Sequence, residues 1–146
     1  MQHSLFAQTD ESRFKLSVLK NIKYPEFLRN SCTPTLSNIL IIISKDGKIE
    51  SIQVSDSADL LFKSEFDRIK GHLDTNGSKL AIKRHKLSGL AIMVPVFYVF
   101  GTEYCTNNIG NSGLSDTTYY MFNGKPFIGL TMNLNPIISI MQKPVR

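Results

Sequence analysis

The sequence predicts an α+β fold: a three-stranded antiparallel sheet of order 2-1-3, two helices packed on one of its faces, and a C-terminal extension. Three observations predict it. Two strand-like runs, Leu36–Ser44 and Lys48–Ser55, are joined by Lys45-Asp46-Gly47-Lys48, which reads as a hairpin with Gly47 supplying the positive φ. Apolar residues recur at helical spacing both before and after that hairpin. A third apolar run, Leu90–Phe100, then supplies the remaining strand.

Each element follows from its own residues. Ser12 to Asn21 places Phe14, Leu16, Val18, Leu19 and Ile22 at roughly helical spacing, with Lys15 and Lys20 among them. Tyr24-Pro25 interrupts that helix, because proline fixes its own φ and steers the preceding residue out of the α region. Glu26–Asn30 suits one further turn, with Pro25 fitting its first position. In the hairpin, Ile49, Ile52 and Val54 alternate with Glu50, Ser51 and Gln53. Ser57 or Asp59 can cap the next helix, where Leu60, Leu61, Phe62, Phe66, Ile69 and Leu73 form the apolar stripe. Asn76-Gly77-Ser78 marks a loop.

The third strand contains Pro95, which cannot donate to a ladder. This predicts an edge strand, with the proline nitrogen facing outward or at a bulge. Residues 101–146 differ in character: Asn, Gly, Ser and Thr dominate to Thr118, and apolar runs Tyr119–Phe122 and Phe127–Ile140 flank Asn123-Gly124-Lys125-Pro126. They read as a second hairpin or a peripheral extension. The chain therefore divides into a flexible N-terminus, 1–11, a folded unit, 12–100, and the extension, 101–146.

Helix, strand, strand, helix, strand also fixes directions. The third strand runs antiparallel to the first, and a right-handed crossover gives the 2-1-3 order. Cys32, just before the first strand, and Cys105, just after the third, then lie at the same end of neighbouring strands. A disulfide between them is geometrically reasonable; two buried free thiols are the alternative.

Bulk properties bound the function. At 146 residues, with 42% hydrophobic and 20% charged content, the chain suits one domain with its own core rather than a disordered segment. A net charge of +5 and a pI near 9.3 admit acidic partners, but no dense basic stripe is present, and the densest patch is Lys79, Lys83, Arg84, His85 and Lys86. It has no interleaved aromatics, so a solvated loop is expected and nucleic acid is not. No apolar run approaches the roughly 18 residues of a membrane helix. Met1–Asp10 lacks the basic start and long apolar centre of an intact signal peptide, although Ser4-Leu5-Phe6-Ala7-Gln8 is compatible with the tail of a trimmed one.

His3, His72 and His85 are far apart and have no metal-type spacing. No nucleophile-elbow, phosphate-loop or dinucleotide motif occurs in the sequence. The expectation is no enzyme, no catalytic residue, no metal and no cofactor.

Asn21-Ile22-Lys23-Tyr24-Pro25 before an isoleucine-rich strand, the Asp46-Gly47 hairpin, Asp56–Leu61 opening a helix with Glu65, Phe66, Arg68, Ile69 and Lys70, and Met93-Val94-Pro95-Val96-Phe97 in the last strand come in an order that resembles the TonB C-terminal domain family. The likeness covers roughly residues 15 to 100. It implies a non-enzymatic cell-envelope module, in the periplasm of a Gram-negative bacterium, that pairs an extended segment with its sheet edge. The partner would be a protein or peptide, such as an outer-membrane receptor segment, or a second copy by strand pairing. Carried over by position, binding falls on Ile92, Val94, Val96 and Tyr98, with Asn21, Tyr24 and Pro25 beside them.

The chain departs from the family in having no tryptophan, no proline-rich spacer and no membrane anchor, with the Asn76–Ser88 loop leading into the last strand. The fold is therefore implied more strongly than force transduction. The second expectation is a self-contained structural domain whose extension seals the sheet edge, with interactions made by loops.

Overall fold

Thr35–Ile43 (β1) is buried along almost its whole length, as a strand covered on both faces and paired on both edges should be. It is the centre of a computed structural model that describes residues 2–44, 49–74, 91–101, 105 and 117–142, the side chains of 2–11 and Thr117 excepted. Ile49–Val54 (β2) pairs antiparallel with one edge of β1, and Ala91–Phe100 (β3) pairs antiparallel with the other. This is the 2-1-3 order that the sequence predicts. The hairpin turn at Lys45–Lys48 lies outside the described residues, as do the basic patch at 79–86 and the loop at 76–88.

The helical layer uses one face of that sheet. Gln2–Asn21 (α1) buries Phe14 and Val18, with Ile22 one turn later and just past its end. It begins at Gln2, earlier than the Ser12 start read from the sequence. Pro25 sits at the cap position of Glu26–Asn30 (α2), whose Leu28 is buried. That short helix ends in a Schellman arrangement: Thr33 N–H donates to Leu28 O at 2.8 Å and Cys32 N–H to Arg29 O at 3.2 Å, with Cys32 left-handed at φ 55°. Leu60–Ile69 (α3) is capped by Asp59, whose side chain accepts from Leu61 N–H at 2.8 Å, and buries Phe62, Phe66 and Ile69. Ser57 has another task, donating to Leu36 O at 2.7 Å.

The sheet is larger than predicted, with five strands. Thr131–Asn133 (β6) and Ile137–Met141 (β7) run parallel to β3 along its outer side, so β3 is an interior strand and not the expected edge. Between β3 and these strands the chain turns through a small hairpin, Met121–Phe122 (β4) and Lys125–Pro126 (β5). Its turn residues Asn123 and Gly124 both have positive φ, 53° and 79°, as a primed two-residue turn demands. This hairpin covers the sheet face opposite the helices, where Phe122 packs with Leu40, Ala91 and Met93 and Tyr119 stacks on Phe97. The extension thus supplies both a third layer and two strands.

A disulfide joins Cys32 to Cys105, with the Cα atoms 5.6 Å apart. It ties the α2 end to the root of the extension.

Candidate functional site at the sheet edge

The residues implied by the resemblance divide into two groups. Tyr24 and Tyr98 meet: their rings stack with centroids 5.2 Å apart and planes 20° from parallel. Phe62 and Phe100 complete the aromatic cluster. The Tyr24 hydroxyl donates to Thr33 O at 2.6 Å and shares a hydrogen bond with Thr35 Oγ1 at 2.7 Å. Burial pushes this phenol up to about 12, against the lowering effect of the Thr35 bond. Tyr98 Oη is buried with no hydrogen-bond partner among the described residues, and burial, then Tyr24 and Glu65, push it well above the usual tyrosine range.

Asn21 closes α1, its amide donating to Ser17 O at 2.7 Å, and Pro25 opens α2. Glu65 holds this junction against α3. It accepts Lys23 N–H at 2.6 Å and the two-pronged Arg68 guanidinium at 2.8 Å on each oxygen, while Arg68 also reaches Asn21 O at 3.2 Å. These residues form a structural joint between helices.

Ile92, Val94, Val96 and Tyr98 point under the helices and are at most 4% exposed. The strand that carries them is taken on both sides. Sequence reasoning read Pro95 as the mark of an edge, and the tertiary structure uses it differently. Asn38 faces β2, because its N–H donates to Ser55 Oγ and its carbonyl accepts from Ser55 N–H. Pro95, the β3 residue opposite Asn38, therefore turns its nitrogen toward the extension. That position falls between the two short ladders, which run from Ala91 to Met93 and from Val96 to Phe100. A missing donor is tolerated there because the extension crosses from β6 to β7 at the same level.

Among the described residues, sealing β3 leaves β7 as the strand with no neighbour on its outer side. Gly101 N–H donates to Met141 O at 3.0 Å, so Met141, and with it Ser139 and Ile137, direct their backbone groups toward β3. Ile138 and Ile140 direct theirs outward. Their side chains are also exposed, 57% and 71%, on the face away from the helices, whereas Ile137 and Met141 are buried beneath them. No charge occurs from Asn135 to Gln142. The opposite free edge, β2, carries the exposed carboxylate of Glu50, a common device against unwanted pairing. A mainly apolar edge strand without such protection can accept another strand.

The sequence showed the apolar run Phe127–Ile140 but not its partner. The signal available was the apolar string Ile137-Ile138-Ser139-Ile140-Met141 immediately after Pro136.

Asp56 fastens the extension to the body of the domain. Its carboxylate accepts Gly124 N–H at 2.7 Å, Asn123 N–H at 3.1 Å and Lys63 Nζ at 3.1 Å. Burial pushes this carboxyl up, but the Gly124 amide, Lys63 and Asn123 together hold it below the usual carboxylate range. Among the described residues there is no group of three or more His, Cys, Asp and Glu side chains placed to hold a metal ion. No described helix is long and apolar enough to cross a membrane. Comparison of the chain with protein-family models, with curated proteins and with solved structures gives no significant match.

Proposed function

We propose that this chain is a non-enzymatic binding module of TonB C-terminal type, working in the cell envelope, that captures an extended protein segment by strand addition at the outer edge of β7. The observation that carries the reading is the pair Ile138 and Ile140, whose backbone groups point outward and whose side chains lie exposed on an uncharged strand. Backbone groups at such an edge provide affinity, and the alternating side chains provide selectivity. The binding strand inferred from the resemblance, β3, gives way to β7 because the extension occupies the position a partner would take. The order helix, hairpin, helix, strand supports the resemblance itself. The Cys32–Cys105 disulfide supports an oxidising compartment, which for a module of this type is the periplasm.

Hydrogen exchange on the full chain tests this reading, using a panel of extended peptides from outer-membrane proteins. Protection is expected at the Ile138 and Ile140 amides. A response confined to loops, with none at 137–141 for any peptide, favours the second reading. In that reading the chain is a self-contained structural domain, favoured by the observation that the extension covers both the edge of β3 and the sheet face opposite the helices.

A further inference from the structure

We infer that β7 pairs with β7 of a second copy, antiparallel about a two-fold axis at Ser139, so that the sheet runs continuously through a homodimer. This deepens the edge-strand reading above by naming one partner, and it rests on that reading. The argument comes from the strand's own order. Ile137-Ile138-Ser139-Ile140-Met141 is symmetric in character about Ser139, with branched apolar residues on either side of it and large apolar residues outside those. A two-fold contact sets each surface against itself, so that residue i meets j and j meets i. Here Ile138 would meet Ile140 of the second copy, and Ile137 would meet Met141. Every facing pair is apolar against apolar, or serine against serine.

The backbone agrees with the side chains. Ile138 and Ile140 are the residues whose N–H and C=O point outward, and in this register they face each other across the axis. Two residues that face each other in this way exchange both N–H···O=C bonds. A register shifted by one residue would set outward groups against inward ones and leave the bonds unmade.

Charge selects the same surface. A chain of net charge +5 repels its own copy, and association is least opposed where no charge lies. Asn135–Gln142 carries none, whereas the other open edge carries Glu50. The cations at the border of that segment lie at one end of the strand: Lys143 follows Gln142 in sequence, and Arg29 Nε donates to Gln142 O at 3.2 Å. In the antiparallel pair the two copies of that strand end lie about 20 Å apart, beyond the roughly 8 Å screening length of physiological salt. On the face away from the helices, the exposed side chains of Ile138 and Ile140 from both copies would form one apolar cluster.

Ser139→Cys is the direct test. Residues facing across a non-hydrogen-bonded antiparallel position have Cα atoms about 4.5 Å apart, within disulfide range. The natural cysteines number two and are bonded to each other, so the substitution adds a lone thiol. Mild oxidation of Ser139→Cys should give a covalent dimer, while Glu50→Cys on the opposite edge stays monomeric. Sedimentation of the natural chain should show a monomer–dimer equilibrium, and Ile140→Lys should weaken it by more than about tenfold through like charges facing across the axis. Ile140 is exposed in the monomer, so unchanged exchange at Ile39 and Ile41 would verify that the variant folds.

A chain that sediments as a monomer at every concentration, with no more cross-linking at 139 than at 50, overturns the self-pairing. If extended peptides still protect Ile138 and Ile140 in that monomer, capture of a foreign strand survives. If they do not, both readings fall.

Discussion

Tyr24 and Tyr98 share one stacked pair, yet their hydroxyls have opposite surroundings. Tyr24 bonds Thr33 and Thr35, whereas Tyr98 Oη is buried without a partner among the described residues. Removing a buried hydroxyl that is bonded costs about 1 kcal/mol, and removing an unbonded one relieves a desolvation penalty of similar size. Tyr24→Phe should therefore lower the urea midpoint, while Tyr98→Phe should leave it unchanged or raise it. Asp56 and Glu65 set the acid behaviour. Both carboxyls lie below their unfolded values when folded, Asp56 because its bonds outweigh burial and Glu65 chiefly through Arg68. The unfolded chain then binds more protons, so their stabilisation is present above the ordinary carboxylate pKa of about 4 and is lost as pH falls through the folded values. Urea unfolding at pH 7 and pH 3 should show this loss. Asp56→Asn should reduce the difference and cost about 2 kcal/mol at pH 7.

At the scale of elements, the extension is held at its root by a covalent bond and at its hairpin by Asp56. The Cys32–Cys105 bridge spans 73 residues in sequence. In the chain-entropy account a loop of that length stabilises the fold by about 4 kcal/mol. Cys105→Ser should shift the denaturation midpoint by a corresponding amount, and reductant should affect the natural chain but not the variant. The Cys32 backbone contributes separately. It occupies the left-handed position that closes α2, where glycine is the usual residue, so its side chain leaves the helix in the direction the bridge needs. Pro95 is likewise an element-level feature. It removes one donor at the place where β6 hands over to β7.

For the molecule as a whole, the extension is part of the core. Deleting residues 105–146 would uncover the outer edge of β3 and the face formed by Leu40, Ala91 and Met93. An exposed apolar sheet face and edge invite aggregation. The truncated chain is expected to be insoluble or to lose cooperative unfolding, which circular dichroism and thermal melting would show. An intact, soluble truncated domain would mean that residues 12–100 carry an independent core. The open edge at β7 belongs to this scale as well, since it exists only once the extension has docked.

Much of the body was legible in the sequence. The helical stripe of Phe62, Phe66 and Ile69, the alternation of β2 and the turn residues at 45–48 are local signals, and with the directions they impose they determined the 2-1-3 order. The Cys32–Cys105 pairing followed from that order as one of two possibilities. What only the tertiary structure decided is where residues 117–142 go. A short apolar run such as Ile137–Met141 specifies a strand but not its neighbour, because parallel pairing across a long connection leaves no local trace. Pro95 illustrates the same limit. Its missing N–H demanded a break in the ladder, and an edge satisfies that demand as well as a gap between two strands does. The choice between them lay in the extension, and with it the question of which strand keeps the open edge.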